Sequence, residues 1–280
     1  MKPPLLCRSA RRILTIFILA LATTLTVDAA RLTTARAVLD RFSEAYGSRE
    51  GWEKISSLRQ LGKLYQEGNE FEIVLARKRP NLLRFSLVRD EVKLEFGYDG
   101  SQAWLIRHQD GHPVFGSILD DVQAVRIARE ANFDWPYFQM MDPTARVGLE
   151  GVTQVNERDH YQMNVLTDDA KELDVFVDAD TFLVSQVKIV EEGPTDAADD
   201  DLEIIDSYTG TVRVLVRLSL EADADIPFPK RLETSLDGTT DNWVEWDSVD
   251  VNIGLFNSYF RLPRALEGAE VGEAVDLRQK

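Results

Sequence analysis

The strongest constraint on the fold of this chain is a repeated alternation of apolar and charged residues with a period of two. In Glu91–Tyr98 the apolar side chains fall on one face of an extended chain, and the charged side chains fall on the other. This pattern is typical of a strand with one face buried and one face in water. The turn-forming pair Asp99-Gly100 follows directly, as in a β-hairpin, so the pattern predicts an antiparallel meander. Comparable stretches span residues 58–66, 70–78, 82–88 and 102–107 and, later in the chain, 147–155, 160–167, 171–178, 183–191, 204–208, 212–218, 230–236 and 243–251.

Two segments have helical periodicity instead. In Thr33–Tyr46 apolar residues recur at helical spacing, Thr33 or Thr34 can cap the first turn, and Gly47 can end the helix. The second segment, Asp120–Met141, ends in a stretch rich in aromatic residues and methionine. We therefore predict an α+β fold, in which a strongly curved antiparallel sheet of roughly ten strands forms an incomplete, unclosed β-barrel covered by helices.

The domain organisation follows from composition. No internal repeat and no shift in composition marks a boundary, so residues 30–263 are predicted to form a single domain. Residues 264–280 are rich in Gly, Ala and Glu and are predicted to be a poorly ordered C-terminal tail. The acidic stretch 191–201 is predicted to be a solvated loop.

The first residues determine the predicted compartment. Lys2–Arg12 holds four basic residues and precedes the apolar run Ile13–Leu25, which is shorter than the roughly 20 residues that a membrane-spanning helix needs. This pattern predicts a cleavable signal peptide over residues 1–29 and a periplasmic destination. The single cysteine, Cys7, would leave with that peptide. Disulfides, thiolate metal sites, cysteine nucleophiles and a lipid anchor are therefore not expected.

The charge of the chain restricts its partners. The formal charge is −16, and removal of residues 1–29 takes away four basic residues and one acidic residue, which makes it −19. Such a field repels phosphate backbones and anionic lipid headgroups. Nucleic acid partners and tight adsorption to a membrane surface are therefore not expected.

The sequence lacks the common signatures of catalysis and cofactor binding. After residue 29 it contains no G-x-S-x-G, no G-x-x-x-x-G-K-[ST], no H-E-x-x-H and no EF-hand spacing. His108 and His112 flank Asp110 in a polar turn, a poor setting for a metal site. The carboxylates of residues 199–201 lack the alternating spacing of a calcium loop. We therefore predict no enzyme activity, no catalytic residue, no bound metal and no cofactor.

Two short motifs resemble those of the LolA-like periplasmic lipoprotein carriers. Lys78-Arg79-Pro80-Asn81-Leu82 ends one predicted strand and opens the next, and Asp99-Gly100 followed by Trp104 has the D-G-x-x-x-W spacing of the hairpin that comes next in that family. Their order agrees with the family over the region Thr33–Met141, together with the leading helix. The later portion fits less tightly, and the chain is longer than the dedicated carriers.

The resemblance implies a function as well as a fold. The hollow of an incomplete barrel would hold the acyl chains of a lipoprotein or lipid for delivery toward the outer membrane, with no chemical reaction. In that family the arginine of the K-R-P motif bonds to the backbone of the lid and favours the closed state, a role that would fall on Arg79. An inner-membrane exporter and an outer-membrane acceptor are the implied partners, and the carrier would be a monomer.

The predicted ligand site is an apolar lining. An acyl chain gains about 0.8 kcal/mol per CH₂ on leaving water, so a carrier must offer it a comparable apolar surface. The inward positions of the strands and the aromatic, Met-rich segment can supply that surface. The same residues could equally form a permanent core, since cores and apolar pockets share their composition. The predicted ligand-binding residues are Phe71, Ile73, Leu75, Phe85, Leu94, Phe96, Trp104, Phe133, Trp135, Phe138, Met140 and Met141.

Two other functions remain open on the sequence alone. A periplasmic sensor or interaction domain on the same scaffold would bind a partner protein by its sheet edge or lid, with no transported lipid. A hydrolase would need two carboxylates that converge in the hollow, and the mostly apolar inner face disfavours that arrangement.

Overall fold

A computed structural model describes residues 31–134, 136, 138–142, 144–167, 172–192, 211–220 and 227–278. Within them the chain forms one sheet of 14 strands and three α-helices. The helices are α1 (Ala35–Ala45), α2 (Arg49–Glu53) and α3 (Asp121–Ala131), and 3-10 turns span Phe138–Met141, Asn257–Tyr259 and Arg264–Leu266. The strands are β1 (Ser57–Gln66), β2 (Asn69–Lys78), β3 (Leu82–Arg89), β4 (Val92–Tyr98), β5 (Ala103–Gln109), β6 (His112–Ile118), β7 (Arg146–Val155), β8 (Arg158–Leu166), β9 (Glu172–Asp178), β10 (Val184–Glu192), β11 (Thr211–Leu220), β12 (Pro229–Leu236), β13 (Thr239–Val251) and β14 (Ala274–Asp276).

The sheet consists of two meanders. Strands β1 to β6 pair in sequence order, as do β7 to β13, because consecutive strands joined by short turns pair with each other. Antiparallel pairing of β1 with β13 joins the two meanders, and α3 lies on the connection from β6 to β7. Strands β14 and β7 lie at opposite ends of the strand order, so the barrel is unclosed. The predicted fold class is confirmed.

Helix α1 begins as predicted and is fixed to the second meander. The Thr34 hydroxyl accepts a hydrogen bond from the backbone N–H three residues further on, at 3.2 Å, and so caps the helix. Val38 and Phe42 are buried on its inner side. Just after the helix, the hydroxyl of Tyr46 accepts a hydrogen bond from the backbone N–H of Val184 at 3.1 Å. This bond connects the end of α1 to β10.

The helices cover one face of the sheet, here called the inner face, in two parts. Helices α1 and α2 and the turn Phe138–Met141 pack on strands β8 to β10, where Phe42, Tyr46 and Met140 are buried. Helix α3 packs on strands β3 to β5, with Ile127 in contact with that cluster. Part of the interior is therefore filled by the chain's own side chains.

The C-terminal segment covers the opposite, outer face. Leu266 and Leu277 are 0% and 5% exposed and pack with Trp104, and β14 pairs with β6. The structure thus differs from the expectation of a poorly ordered tail, because two buried leucines attach the segment to the sheet although most of its residues are exposed. The described residues from Leu32 onward belong to one compact unit.

Gly97 makes room for Trp104 on this outer face. The two residues are direct partners across β4 and β5. A Cβ atom at Gly97 would collide with the Trp104 indole ring. The glycine therefore allows the ring to lie flat on the strand, and it fixes Trp104 on the face away from the helices.

The strand boundaries agree with the sequence except at two places. Strand β6 was not predicted, because Pro113 and Gly116 weaken the strand pattern there, and the short β14 lies in the expected tail. These two strands account in part for the difference between 14 strands and the roughly ten expected. The predictions for residues 1–29 and 204–208 concern residues outside the described part of the chain. The loop predicted for residues 191–201 also lies outside it, except for residues 191 and 192, which are the end of β10 and not loop.

Candidate ligand cavity

An apolar cavity of about 340 Å³ lies between the inner face of the sheet and the helical cover. Seven adjacent strands form its wall, in the order β3-β2-β1-β13-β12-β11-β10, so the cavity spans the junction of the two meanders. Its lining residues come from both filled parts of the interior, and the cavity lies where these two parts meet. The apolar wall residues are Leu58, Ile73, Leu75, Leu83, Phe85, Val187, Val216, Leu218, Pro229, Leu232, Val244 and Trp246.

Aromatic rings form the cover of the cavity. The rings of Trp52 and Phe138 stack with centroids 3.6 Å apart and planes inclined by 16°. Phe133 and Phe228 lie with their ring centroids 5.5 Å and 6.0 Å from that of Trp52. Trp52 in α2 is therefore the centre of the cover, and Pro136 completes it.

Polar side chains are few in the lining. Arg77 Nη2 and Glu130 Oε2 form an ion pair at 2.8 Å, and their side chains are 15% and 49% exposed, which places the pair at the rim. Gln60 and Thr234 also line the cavity, and Gln60 is 6% exposed. Burial of a polar ligand without matching hydrogen bonds is costly. This lining therefore suits a hydrocarbon chain with a small polar end.

Five of the twelve predicted ligand-binding residues line this cavity, namely Ile73, Leu75, Phe85, Phe133 and Phe138. They come from β2, β3 and the segment that follows α3. The alternation in β2 brings Ile73 and Leu75 to the inner face together, as the period-two pattern requires.

The other predicted residues lie elsewhere. Phe71, Leu94 and Phe96 are buried in the cluster under α3. Met140 is 1% exposed in the cluster around α1, and Met141 packs against that cluster. These five side chains belong to the core rather than to the cavity lining.

The last two predicted ligand-binding residues are Trp104 and Trp135. Trp104 lies on the outer face of the sheet against the C-terminal segment, so it does not reach the cavity, because its neighbour Leu105 takes the inner position in β5. Trp135 lies outside the described residues.

Several cavity residues were missed by sequence reasoning. They are Trp52 in α2 and the inner residues of the later strands, Val187, Val216, Leu218, Leu232, Val244 and Trp246. The alternation in these strands was visible in the sequence. The sequence did not show that these strands share a cavity with β2, because this depends on the pairing of β1 with β13 across almost the whole chain.

Arg79 ties the turn between β2 and β3 to the cover. Its Nε donates to the carbonyl oxygen of Ile55 at 2.8 Å, and its Nη2 lies 3.5 Å from the carbonyl oxygen of Trp52. Nη2 also lies 2.8 Å from Asp134 Oδ1, an atom to which Trp52 Nε1 donates at 2.6 Å. The guanidinium lies over the Phe133 ring, 4.3 Å from its centroid. The Arg79 side chain therefore connects the sheet with both parts of the cover, the end of α2 and the segment that follows α3.

A charged cluster surrounds Glu95 on the outer face of the sheet. Its carboxylate lies 2.6 Å from Arg84 Nη2, 3.2 Å from Lys93 Nζ and 3.2 Å from His108 Nε2. Burial alone would raise the pKa of Glu95, but Arg84 and then Lys93 outweigh it and hold this pKa below its ordinary value. His108 is therefore a partner of a structural carboxylate.

His160 is 2% exposed, and its Nδ1 lies 2.9 Å from the carbonyl oxygen of Arg158. Among the described residues, no group of three or more His, Cys, Asp or Glu is placed to hold a metal ion. Residues 199–201 lie outside the described part of the chain.

No helix among the described residues combines the length and the apolar character that a membrane-crossing helix requires.

The fold and the cavity define a class: an unclosed antiparallel half-barrel with a helical cover and an apolar hollow. No family model matches the chain, and no curated protein matches its sequence. Among solved structures, a LolA superfamily protein from Nitrosomonas europaea is similar over 82% of this chain and 99% of that chain, with a TM-score of 0.50 and 12% identity. A DUF1329 family protein from Desulfovibrio piger is similar over 81% of this chain and 97% of that chain, with a TM-score of 0.48 and 12% identity. The first likeness confirms the LolA-like fold that the two motifs implied.

Proposed function

We propose that this protein is a periplasmic carrier that binds the acyl chain of a lipid or lipoprotein in its cavity and delivers it toward the outer membrane. The single observation that supports this proposal is the apolar cavity of about 340 Å³ between the sheet and the aromatic cover. Ligand cavities in proteins start at about 300 Å³ and are lined mostly by apolar side chains. The carrier role needs no chemical reaction.

The size of the cavity restricts the cargo. A water molecule takes about 30 Å³ and a methylene group is similar in size, so about 340 Å³ accommodates on the order of ten methylene groups. Their transfer from water is worth roughly 8 kcal/mol at about 0.8 kcal/mol per group. The cavity therefore suits a single acyl chain, and a second chain would require the cover to move away.

The cover can act as a lid. Its aromatic rings are held to the sheet by Arg79, through the carbonyl oxygen of Ile55 and the carboxylate of Asp134. These bonds lie at the edge of the cover and would break when it opens. We propose that Arg79 is the latch that favours the closed state.

The proposal extends to location and partners. The predicted signal peptide directs the chain to the periplasm, where a carrier would receive cargo from an inner-membrane exporter and release it to an outer-membrane acceptor. We propose that residues 30–263 act as a single domain, to which residues 264–278 contribute β14 and the buried Leu266. The protein would act as a monomer.

Extraction of the native protein tests the proposal directly. Native mass spectrometry of protein purified from its own periplasm, combined with organic extraction, should reveal one acyl chain per molecule. Delipidated protein should bind dodecanoate with a stoichiometry of one, and the heat capacity of binding should be negative because apolar surface is buried. Protein without lipid that also fails to bind dodecanoate would contradict the carrier function and favour a sensor or interaction domain.

A cavity-filling variant provides the matched comparison. Leu75 lines the cavity, so Leu75→Trp should fill part of it and weaken dodecanoate binding by about tenfold or more. Val190 is 53% exposed and does not line the cavity, so Val190→Trp should bind as the wild type does. Equal affinities of Leu75→Trp and wild type would place the ligand elsewhere.

A further inference from the structure

A rigid loop exposes aromatic side chains at one end of the sheet. It spans residues 251–266 and is here called the C-terminal loop. Phe256 is 79% exposed, and Val251, Tyr259 and Ile253 are 43%, 39% and 38% exposed. Large apolar side chains that cluster on a surface mark a binding site more often than chance exposure does.

The same loop has an unusual charge. Asp and Glu make up 48 of the 280 residues of the chain, but residues 251–266 contain neither. They contain Arg261 and Arg264, and both side chains are exposed. The loop itself therefore carries only positive formal charge on a strongly acidic protein, with Asp250 and Glu267 beside it in the chain and the Asp99 carboxylate bonded to the backbone N–H of Leu262.

Internal contacts hold this loop in a fixed position. Phe260 is fully buried against Ala76 and Leu82. Lys78 Nζ donates to the carbonyl oxygen of Leu255 at 2.6 Å, and Arg84 Nη1 donates to the carbonyl oxygen of Tyr259 at 2.7 Å. Because the backbone is fixed on both sides of Phe256, exposure of this ring does not result from a loose chain.

The loop is also a neighbour of Arg79. Asn252 Oδ1 accepts a hydrogen bond from the backbone N–H of Ser56 at 2.8 Å. The carbonyl oxygen of Ser56 in turn accepts the backbone N–H of Arg79 at 2.9 Å. Ser56, in the short segment between α2 and β1, therefore contacts both the C-terminal loop and Arg79.

We propose that the C-terminal loop is a docking surface for a lipid membrane that contains anionic headgroups. Aromatic rings favour the interface between headgroups and acyl chains, and Arg261 and Arg264 attract anionic lipids. The repulsion from the acidic remainder of the protein is screened beyond about 8 Å at physiological ionic strength, so the local charge of the loop governs the contact.

A lipid surface fits this loop better than a protein does. A stable protein interface buries about 800 Å² on each partner, and four exposed apolar side chains fall short of that area. Reversible membrane contact needs only shallow insertion of a few apolar groups together with basic residues. The contact does not depend on the cargo, because the loop lies outside the cavity lining.

Vesicle flotation of the delipidated, mature protein tests the proposal. The wild type should float with vesicles of equal parts phosphatidylcholine and phosphatidylglycerol, and less with vesicles of phosphatidylcholine alone. Phe256→Ser should lower the partition by about tenfold, because the ring no longer enters the interface. The double variant Arg261→Gln with Arg264→Gln should lose the preference for phosphatidylglycerol.

The control is an exposed apolar residue outside the loop. Val271 is 59% exposed, and Val271→Ser should float as the wild type does. Equal thermal unfolding of all variants shows that they fold. Failure of the wild type to float, or equal flotation of wild type and Phe256→Ser, would overturn the proposal. So would a wild-type dimer in sedimentation that Phe256→Ser abolishes, since a second copy would then be the partner.

Discussion

At the scale of single residues, Arg79 shows how many parts of the molecule one side chain can contact. Its guanidinium joins a carbonyl oxygen at the end of α2, a carboxylate after α3 and an aromatic face. Planar guanidinium groups are suited to several simultaneous bonds of this kind, whereas an ammonium group is not. The geometry of Arg79 therefore matters as much as its charge.

Removal of this side chain should speed cargo release. Hydrogen bonds to charged groups contribute about 1.5–3 kcal/mol, so Arg79→Leu should destabilise the closed state and raise the dissociation rate of bound dodecanoate by about tenfold or more. Arg79→Lys should give an intermediate rate. Stopped-flow displacement measures these rates, and Arg217→Leu serves as the control because Arg217 is 44% exposed and pairs with Glu233 away from the cover. Unchanged rates in Arg79→Leu would eliminate the latch.

Glu95 should give the folded state a measurable acid sensitivity. Its pKa is lowered in the folded protein, so its stabilising contribution is present above the unfolded value of about 4.3 and is lost as the pH falls through the folded value. Glu95→Gln should reduce the free energy of unfolding by about 1–3 kcal/mol at neutral pH and by less at acid pH. Urea denaturation at both pH values checks this. An equal loss at both values would show that the carboxylate charge is not responsible.

At the scale of elements, the C-terminal segment is part of the sheet rather than an appendage. Leu266 is fully buried beside Trp104. Leu266→Ala should therefore cost about 2–5 kcal/mol, as buried leucines usually do, while the exposed Val271→Ala should cost less than about 0.5 kcal/mol. Thermal or chemical denaturation compares the two. A negligible cost at Leu266 would mean that the segment does not contribute to folding.

The strands and hairpins could be predicted from the sequence, but the face on which some of their residues lie could not. Period-two alternation identified most strands, and turn residues identified the hairpins, because both are local properties. The face of Trp104 was not visible in the pattern, because Ala103–Ile106 is apolar throughout and shows no alternation. In the structure Phe96 pairs with Leu105, which puts Leu105 on the inner face and Trp104 on the outer face, and a shift of one residue would exchange them. The cavity lining was predicted only in β2, in β3 and in the segment that follows α3, since its other wall depends on long-range pairing.

At the scale of the whole molecule, the interior has both a permanent core and a cavity. Side chains fill the space between the sheet and α1 and the space between the sheet and α3. The cavity of about 340 Å³ lies between these two filled parts. The filled parts can keep the fold stable when the cavity is empty, which a carrier requires. Bound ligand should add stability in proportion to the logarithm of its concentration, and dodecanoate should raise the thermal midpoint of the wild type but not that of Leu75→Trp. Equal shifts in both proteins would indicate binding outside the cavity.

The pairing of β1 with β13 has a consequence for biogenesis. One wall of the hollow, β1 to β3, is made early in synthesis and the other, β10 to β13, is made late, and they join only when β13 has been added and pairs with β1. A nascent chain that lacks β13 therefore has only one wall of the cavity. If the proposed function holds, ligand binding has to follow synthesis of nearly the whole chain.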